Sequence, residues 1–200
     1  MSYILGLTGP TGAGKSEFSH IAKKMGFTVI DCDKVAREAV EPNSNGLKAL
    51  FNVFGCEILN PDGTLNRKKM AEIAFSTKEN TELLNKTLLP HIVKLIESKI
   101  KGRAVLLDAP TLFESGINAK CNITVAVLSD TQNRLKRITA RDNIDEKSAL
   151  LRINAGKSDQ YYLEKADKCF YNNGNLEEFL KLSENFLNNV LKGIDDNVTV

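Results

Sequence analysis

Gly9-Pro10-Thr11-Gly12-Ala13-Gly14-Lys15-Ser16 fits the pattern G-x-x-x-x-G-K-[ST]. It lies between a short apolar run, Tyr3–Leu7, that predicts a strand, and a stretch, Lys15–Met25, that predicts a helix. Glycines at these steps let the backbone curl so that successive N–H groups turn inward toward an anion. The helix that follows presents its positive end to the same place. Lys15 is placed to reach the β- and γ-phosphates of a nucleotide, and the Ser16 hydroxyl to ligate a Mg²⁺ ion bridging them. The expected cradle comprises Gly9, Thr11, Gly12, Ala13, Gly14, Lys15 and Ser16 with the adjoining Glu17. A glycine-rich turn that binds nothing is the alternative, and the strand before and helix after argue against it.

Outward from this loop, strand-like and helix-like segments alternate. Phe27–Ile30, Ala104–Leu107, Ile123–Leu128 and Lys168–Tyr171 read as further strands. Asp130–Arg141 and Asp145–Asn154 read as charged helices, Glu177–Leu191 as a closing helix, and Ile194–Val200 as a frayed tail. The pattern predicts an α/β fold around the phosphate loop, a parallel sheet covered by helices on both faces. The stretch from about Lys34 to Lys101 is too long for one crossover and reads as a helical insertion. The expected organisation is a nucleotide-binding core (1–33, 102–133 and 166–200), a helical acceptor subdomain (34–101) and a helical lid (134–165).

The 200 residues suit one core with modest insertions, and the 42 % apolar content can fill it. With 27 Lys+Arg against 25 Asp+Glu, the net charge of +2 argues against a chain built to coat nucleic acid. The apolar runs are strand-sized, so neither a membrane span nor a signal peptide is expected. Cys32, Cys56, Cys121 and Cys169 are scattered, without metal-ligand spacing, and read as reduced thiols of a cytoplasmic protein.

Three features point from nucleotide binding toward phosphoryl transfer to a small molecule. Asp31 and Asp33 follow the second strand, where a carboxylate can take the proton of an attacking hydroxyl. A helix cap at Asp33 is the competing reading. Arg134, Arg137 and Arg141 lie on one helix, and Arg137 and Arg141, four apart, share a face suited to phosphate. A solvated basic face is the alternative there. Third, the chain carries an insertion and a lid, as exclusion of water from a γ-phosphate requires. Val105-Leu106-Leu107-Asp108 ends an apolar strand in a carboxylate able to hold Mg²⁺, unless Asp108 only caps the next turn. Asn85-Lys86-Thr87-Leu88 lacks the carboxylate of a guanine reader, which favours ATP over GTP.

At this point the sequence resembles dephospho-CoA kinases. The resemblance is carried by Leu7-Thr8-Gly9 with Gly12–Ser16, by Val29-Ile30-Asp31-Cys32-Asp33-Lys34-Val35-Ala36-Arg37, by Leu106–Gly116 (LLDAPTLFESG), and by Lys165-Ala166-Asp167 with Asn172-Asn173-Gly174. It implies transfer of the ATP γ-phosphate to the ribose 3′-hydroxyl of dephospho-CoA, the last step of coenzyme A synthesis. It further implies Asp33 as the base with Asp31 in reserve, and Arg37 with Leu112, Phe113 and Glu114 facing the acceptor. Arg137 and Arg141 would close on phosphates, and Asn172 would lie near adenine. Departures from the family pattern are Pro10 in the loop, Thr111, Leu89-Pro90 in place of His-Pro, and Gly156 in place of Gln; His91 then reads as a surface residue in a first helical turn. Another P-loop small-molecule kinase is the runner-up, and a tRNA-modifying P-loop transferase shares the Gly-Pro-Thr opening. No nucleic acid, membrane or obligatory protein partner is expected.

Overall fold

Side chains alternate between two faces along each central strand. In the computed structural model, which describes residues 2–196, this alternation feeds two separate apolar clusters. Leu5 and Leu7 of β1 (Tyr3–Thr8), Leu106 of β3 (Ala104–Asp108), and Val125 and Val127 of β4 (Ile123–Leu128) face one way. They meet Phe18, Ile21 and Ala22 of α1 (Lys15–Lys24) and Phe179 and Leu187 of α9 (Leu176–Asp196). Ala126 and Leu128 of β4 face the other way, onto Tyr162 of α8 (Asp159–Lys165).

With β2 (Thr28–Asp31) and β5 (Lys168–Tyr171) the sheet order is β2-β3-β1-β4-β5. β1 runs parallel to both β3 and β4, and β4 parallel to β5, so the expected α/β class holds. All five strands fall where the sequence places them, within a residue at either end. The charged stretch after β4 holds three helices, α6 (Thr131–Asp142), α7 (Glu146–Asn154) and α8, where the sequence suggests a pair. The closing helix runs to Asp196, past the start of the expected frayed tail; residues 197–200 lie outside the described residues.

Asp31–Ile100 form a second compact unit, with Met1–Ile30 and Lys101–Val200 making the first. The second unit comprises α2 (Cys32–Glu38), α3 (Asn45–Phe54), α4 (Arg67–Ala74) and α5 (Lys78–Lys99). Val40, Leu50, Ile58, Met70 and Ala74 are its core. Pro90 lies inside α5, so His91 is not in a first turn as the sequence suggests. A proline inside a helix removes one backbone bond, and the continuous 22-residue α5 accommodates that loss. Among the described residues no helix is long and apolar enough to cross a membrane.

The start of β4 is held to the start of β5 by one carboxylate. Asp167 accepts from the Thr124 amide at 2.7 Å and from its hydroxyl at 2.6 Å. The Thr124 hydroxyl, then its N–H, holds the Asp167 carboxyl below its ordinary value. Asp167→Ala leaves the buried Thr124 amide without its acceptor, an expected cost of about 1–3 kcal/mol. Tm should fall by roughly 2–4 °C per kcal/mol at this chain length. A lowered carboxyl pKa gives stability above the unfolded value and loses it as pH falls through the folded one. Thermal scans should therefore show a gap between variant and wild type at neutral pH that shrinks below about pH 4.

Candidate active site

The loop after β1 turns sharply because two glycines do what no other residue can. Gly9 has φ +136°, and a Cβ there would run into the Val127 carbonyl of β4. Gly14, at φ +107°, opens α1, and a Cβ on it would overlap the Asn172 side-chain amide. The loop is thus pressed against the carboxyl ends of β4 and β5. Lys15 folds back along it, donating to the Gly9 carbonyl at 2.7 Å and the Pro10 carbonyl at 3.3 Å.

The outer side of the loop is held by α6. Arg134 Nε donates to the Thr11 carbonyl at 2.9 Å. Arg137 Nη1 donates to the carbonyls of Gly12 and Ala13 at 3.3 and 3.2 Å, and to Ser129 Oγ at 3.1 Å. Its Nη2 donates to the backbone and side-chain oxygens of Asn172 at 2.8 and 3.2 Å. Asn172 completes the frame, its Nδ2 donating to the Ala13 carbonyl at 2.9 Å. Three consecutive peptide carbonyls are therefore fixed outward by charged or buried donors. The Ala13 N–H turns back to the Pro10 carbonyl at 3.3 Å, while the outward carbonyls of Thr11 and Ala13 leave the Gly12 and Gly14 N–H groups to the inner side, as an anion-binding nest needs. Asn172, implied to lie near adenine, is buried, and its amide serves the loop.

Ser16 is exposed at the first turn of α1, and Ser19, one turn on, donates to Asp108 Oδ2 at 2.7 Å. Residues three apart share a helix face, so Ser16 and Asp108 lie on the same side of α1. Mg²⁺ in nucleotide sites takes phosphate oxygens, water and one or two protein oxygens. A hydroxyl and a strand-end carboxylate are hard donors of the right kind, so the residues present fit that ion.

Arg137 and Arg141 do not act as one pair here. Arg141, at the exposed end of α6, makes a bidentate contact with Asp142 at 2.7 and 2.9 Å, and Arg152 Nη1 reaches the same carboxylate at 2.6 Å. Nor is α6 a mere charged face, since Arg134 and Ile138 are buried on it. In the segment after β3, Leu112 is fully buried. Phe113 lies with its ring centroid 6.2 Å from that of Tyr161. Glu114 is exposed beside the hydroxyl of Tyr161, and burial followed by the Glu114 charge pushes Tyr162 up to about 12.

In the second unit the two aspartates separate. Asp31 caps α2, accepting from the Lys34 amide at 3.0 Å, and pairs with the Lys34 ammonium at 3.4 Å. Asp33 is not the cap; it is exposed in the first turn of that helix. Arg37 stands one turn later at the rim of an apolar cavity of about 250 Å³ lined by Ala36, Val40, Leu84, Leu88 and Phe75, with Arg67 as a second rim cation.

A family model described as dephospho-CoA kinase matches residues 3–178. The chain belongs to the dephospho-CoA kinase family. A dephospho-CoA kinase of Fusobacterium nucleatum is 37 % identical over 186 residues, covering 92 % of this chain and 96 % of that one. One from Listeria monocytogenes is 35 % identical over 198 residues, covering 96 % and 99 %. A solved dephospho-CoA kinase from Campylobacter jejuni superposes with a TM-score of 0.69 at 26 % identity, covering 96 % and 99 %. A shikimate kinase from Bacteroides thetaiotaomicron, at TM-score 0.55 and 14 % identity, shares the fold. The protein is a kinase of coenzyme A biosynthesis, with ATP as phosphoryl donor and dephospho-CoA as acceptor.

Reading the sequence of this family member alone leaves three features of the site unassigned. Ser19 has no motif to announce it. Arg134 has a usable signal, since it stands four residues before the apolar Ile138 and so shares its face. Asp159 joins Arg134 only through the packing of α8. Gly14→Ala is expected to weaken ATP binding by about tenfold or more, because it strains a positive-φ position and displaces Asn172. Tm should drop by no more than roughly 10 °C. Calorimetric titration with ATP and a thermal scan test both.

Proposed function

We propose that ATP is held by the loop Gly9–Ser16 and that the transferred phosphoryl goes to the ribose 3′-hydroxyl of dephospho-CoA. The observation that carries the first half is the outward fixing of the Thr11, Gly12 and Ala13 carbonyls by α6 and Asn172. Lys15 exchanges the Gly9 and Pro10 carbonyls for phosphate oxygens, and Ser16 with Asp108 would hold a Mg²⁺ ion, whose charge would offset that of the phosphates. Arg141, at the free end of α6, is the arginine for charge developing on the transferring group.

The second unit takes the acceptor. Its cavity joins an apolar lining to two exposed arginines, which suits a ligand with an apolar arm and a pyrophosphate. Asp33 accepts the proton of the 3′-hydroxyl as that oxygen bonds to the γ-phosphorus. The bond from phosphorus to the β–γ bridging oxygen breaks and ADP leaves. Asp31, bound to the start of α2, is structural in this reading. The whole scheme needs no nucleic-acid, membrane or protein partner. Among the described residues no cysteine is in a disulfide, which accords with the reducing cytoplasm.

With ATP, Mg²⁺ and dephospho-CoA, mass spectrometry should show coenzyme A. Asp33→Asn is expected to lower kcat by about 10²–10⁴-fold with little change in ATP binding. Asp31→Ala should keep kcat and lose about 1 kcal/mol of stability with the cap. The reverse pattern would exchange the two roles, and wild-type turnover in Asp33→Asn would remove the base assignment.

A further inference from the structure

The geometry points to Arg134 as a positioning residue for ATP, one that sets the phosphate loop through the Thr11 carbonyl and is itself aimed by Asp159 of α8. Arg134 is only 5 % exposed, on a helix whose outer residues are solvated. Burying a guanidinium is costly unless its donors are met. Here they are met unevenly. Nε is bonded to the Thr11 carbonyl at 2.9 Å, Nη1 stands 3.8 Å from Asp159 Oδ1, and Nη2 is buried without a hydrogen-bond partner. Asp159 Oδ1 is likewise buried without one.

If Arg134 served only to hold the domain together, an apolar side chain of similar length would do as well or better, because buried ion pairs contribute little to stability on balance. The one strong contact it makes is to the peptide between Thr11 and Gly12, in the middle of the anion-binding turn. That bond fixes the carbonyl outward and with it the next N–H inward, toward the phosphates. Arg137 holds the two following peptides, but it is also tied to Ser129 and Asn172. Arg134 reaches both the loop and α8. Desolvation weakens the hold of Arg134 on its proton, and the charges of Asp159 and then Tyr162 oppose that effect.

This inference rests on the proposed nucleotide site. The test is calorimetric binding of Mg·ATP to the full chain, with kcat and KM for both substrates and Tm, in Arg134→Met, Arg134→Lys and Asp159→Asn. Arg134→Met should raise Kd and KM for ATP by about ten- to hundredfold, the loss of one charge-assisted bond. KM for dephospho-CoA and Tm should stay near wild type. Arg134→Lys should recover part of the affinity, since one ammonium donor can reach Thr11. Asp159→Asn should weaken ATP binding by about two- to tenfold at unchanged Tm. Wild-type ATP affinity in Arg134→Met overturns the inference, as does a parallel fall of Tm and activity that Arg134→Lys does not relieve. If Arg134→Met does not fold, Asp159→Asn decides, and unchanged ATP affinity there overturns it. A wild-type protein that makes no coenzyme A would remove the proposed function instead, whatever the variants do.

Discussion

Two guanidiniums of one helix, Arg134 and Arg137, hold three consecutive carbonyls of the phosphate loop, and the rest of the nucleotide site depends on that hold. A six-residue loop rich in glycine has much conformational entropy to lose on ordering. A ligand that had to order it would bind more weakly by the corresponding free energy. Charged donors on the outer carbonyls move that cost to folding, where the core formed by β1, α1 and α9 offsets it. The glycines make the turn possible, and α6 makes it specific.

The same bonds constrain α6 itself. Its start is capped by Asp130, whose amide donates to Asn173 Oδ1 at 2.7 Å, while Asn172 receives Arg137. The turn after β5 thus ties together the loop, α6 and the end of β4, where the Asn172 amide donates to the Leu128 carbonyl at 2.8 Å. Along α6, attachment loosens toward Arg141, whose partner is the neighbouring Asp142. α7 packs its Ala149 and Ile153 on Ile138 of α6. Within the charged segment after β4, α6 and α8 are thus fixed to the sheet and loop, and the exposed guanidiniums are those of Arg141 and Arg152. Those two are held by the Asp142 carboxylate.

Much of this is legible in the residues because its signals are local. Strand–glycine loop–Lys–Ser–helix is a pattern local in the chain, and short apolar runs mark the strands within a residue. What stays hidden depends on packing between distant segments. Nothing local distinguishes the loop-facing Arg137 from the solvated Arg141, because helical spacing places them together and only the contacts with Gly12, Ala13, Ser129 and Asn172 separate them. Leu112 looks like part of an acceptor-facing string, yet it is buried so close under β1 that a Cβ on Gly6 would come within 2.9 Å of it. Pro90 suggests a helix boundary by local rule, and α5 overrides it. Asp31 and Asp33 are indistinguishable as carboxylates after a strand; the hydrogen bond to the Lys34 amide tells cap from candidate base.

The loop is ordered by α6 before nucleotide arrives. Backbone ¹⁵N relaxation of the ligand-free protein, wild type and Arg137→Ala, measures this at the amides of Gly12, Ala13, Gly14 and Lys15. Wild-type order parameters should lie close to those of the sheet, about 0.85, and fall below about 0.6 in the variant while α1 and β1 keep theirs. Loop amides already disordered in the wild type, or equally ordered in both proteins, would contradict it.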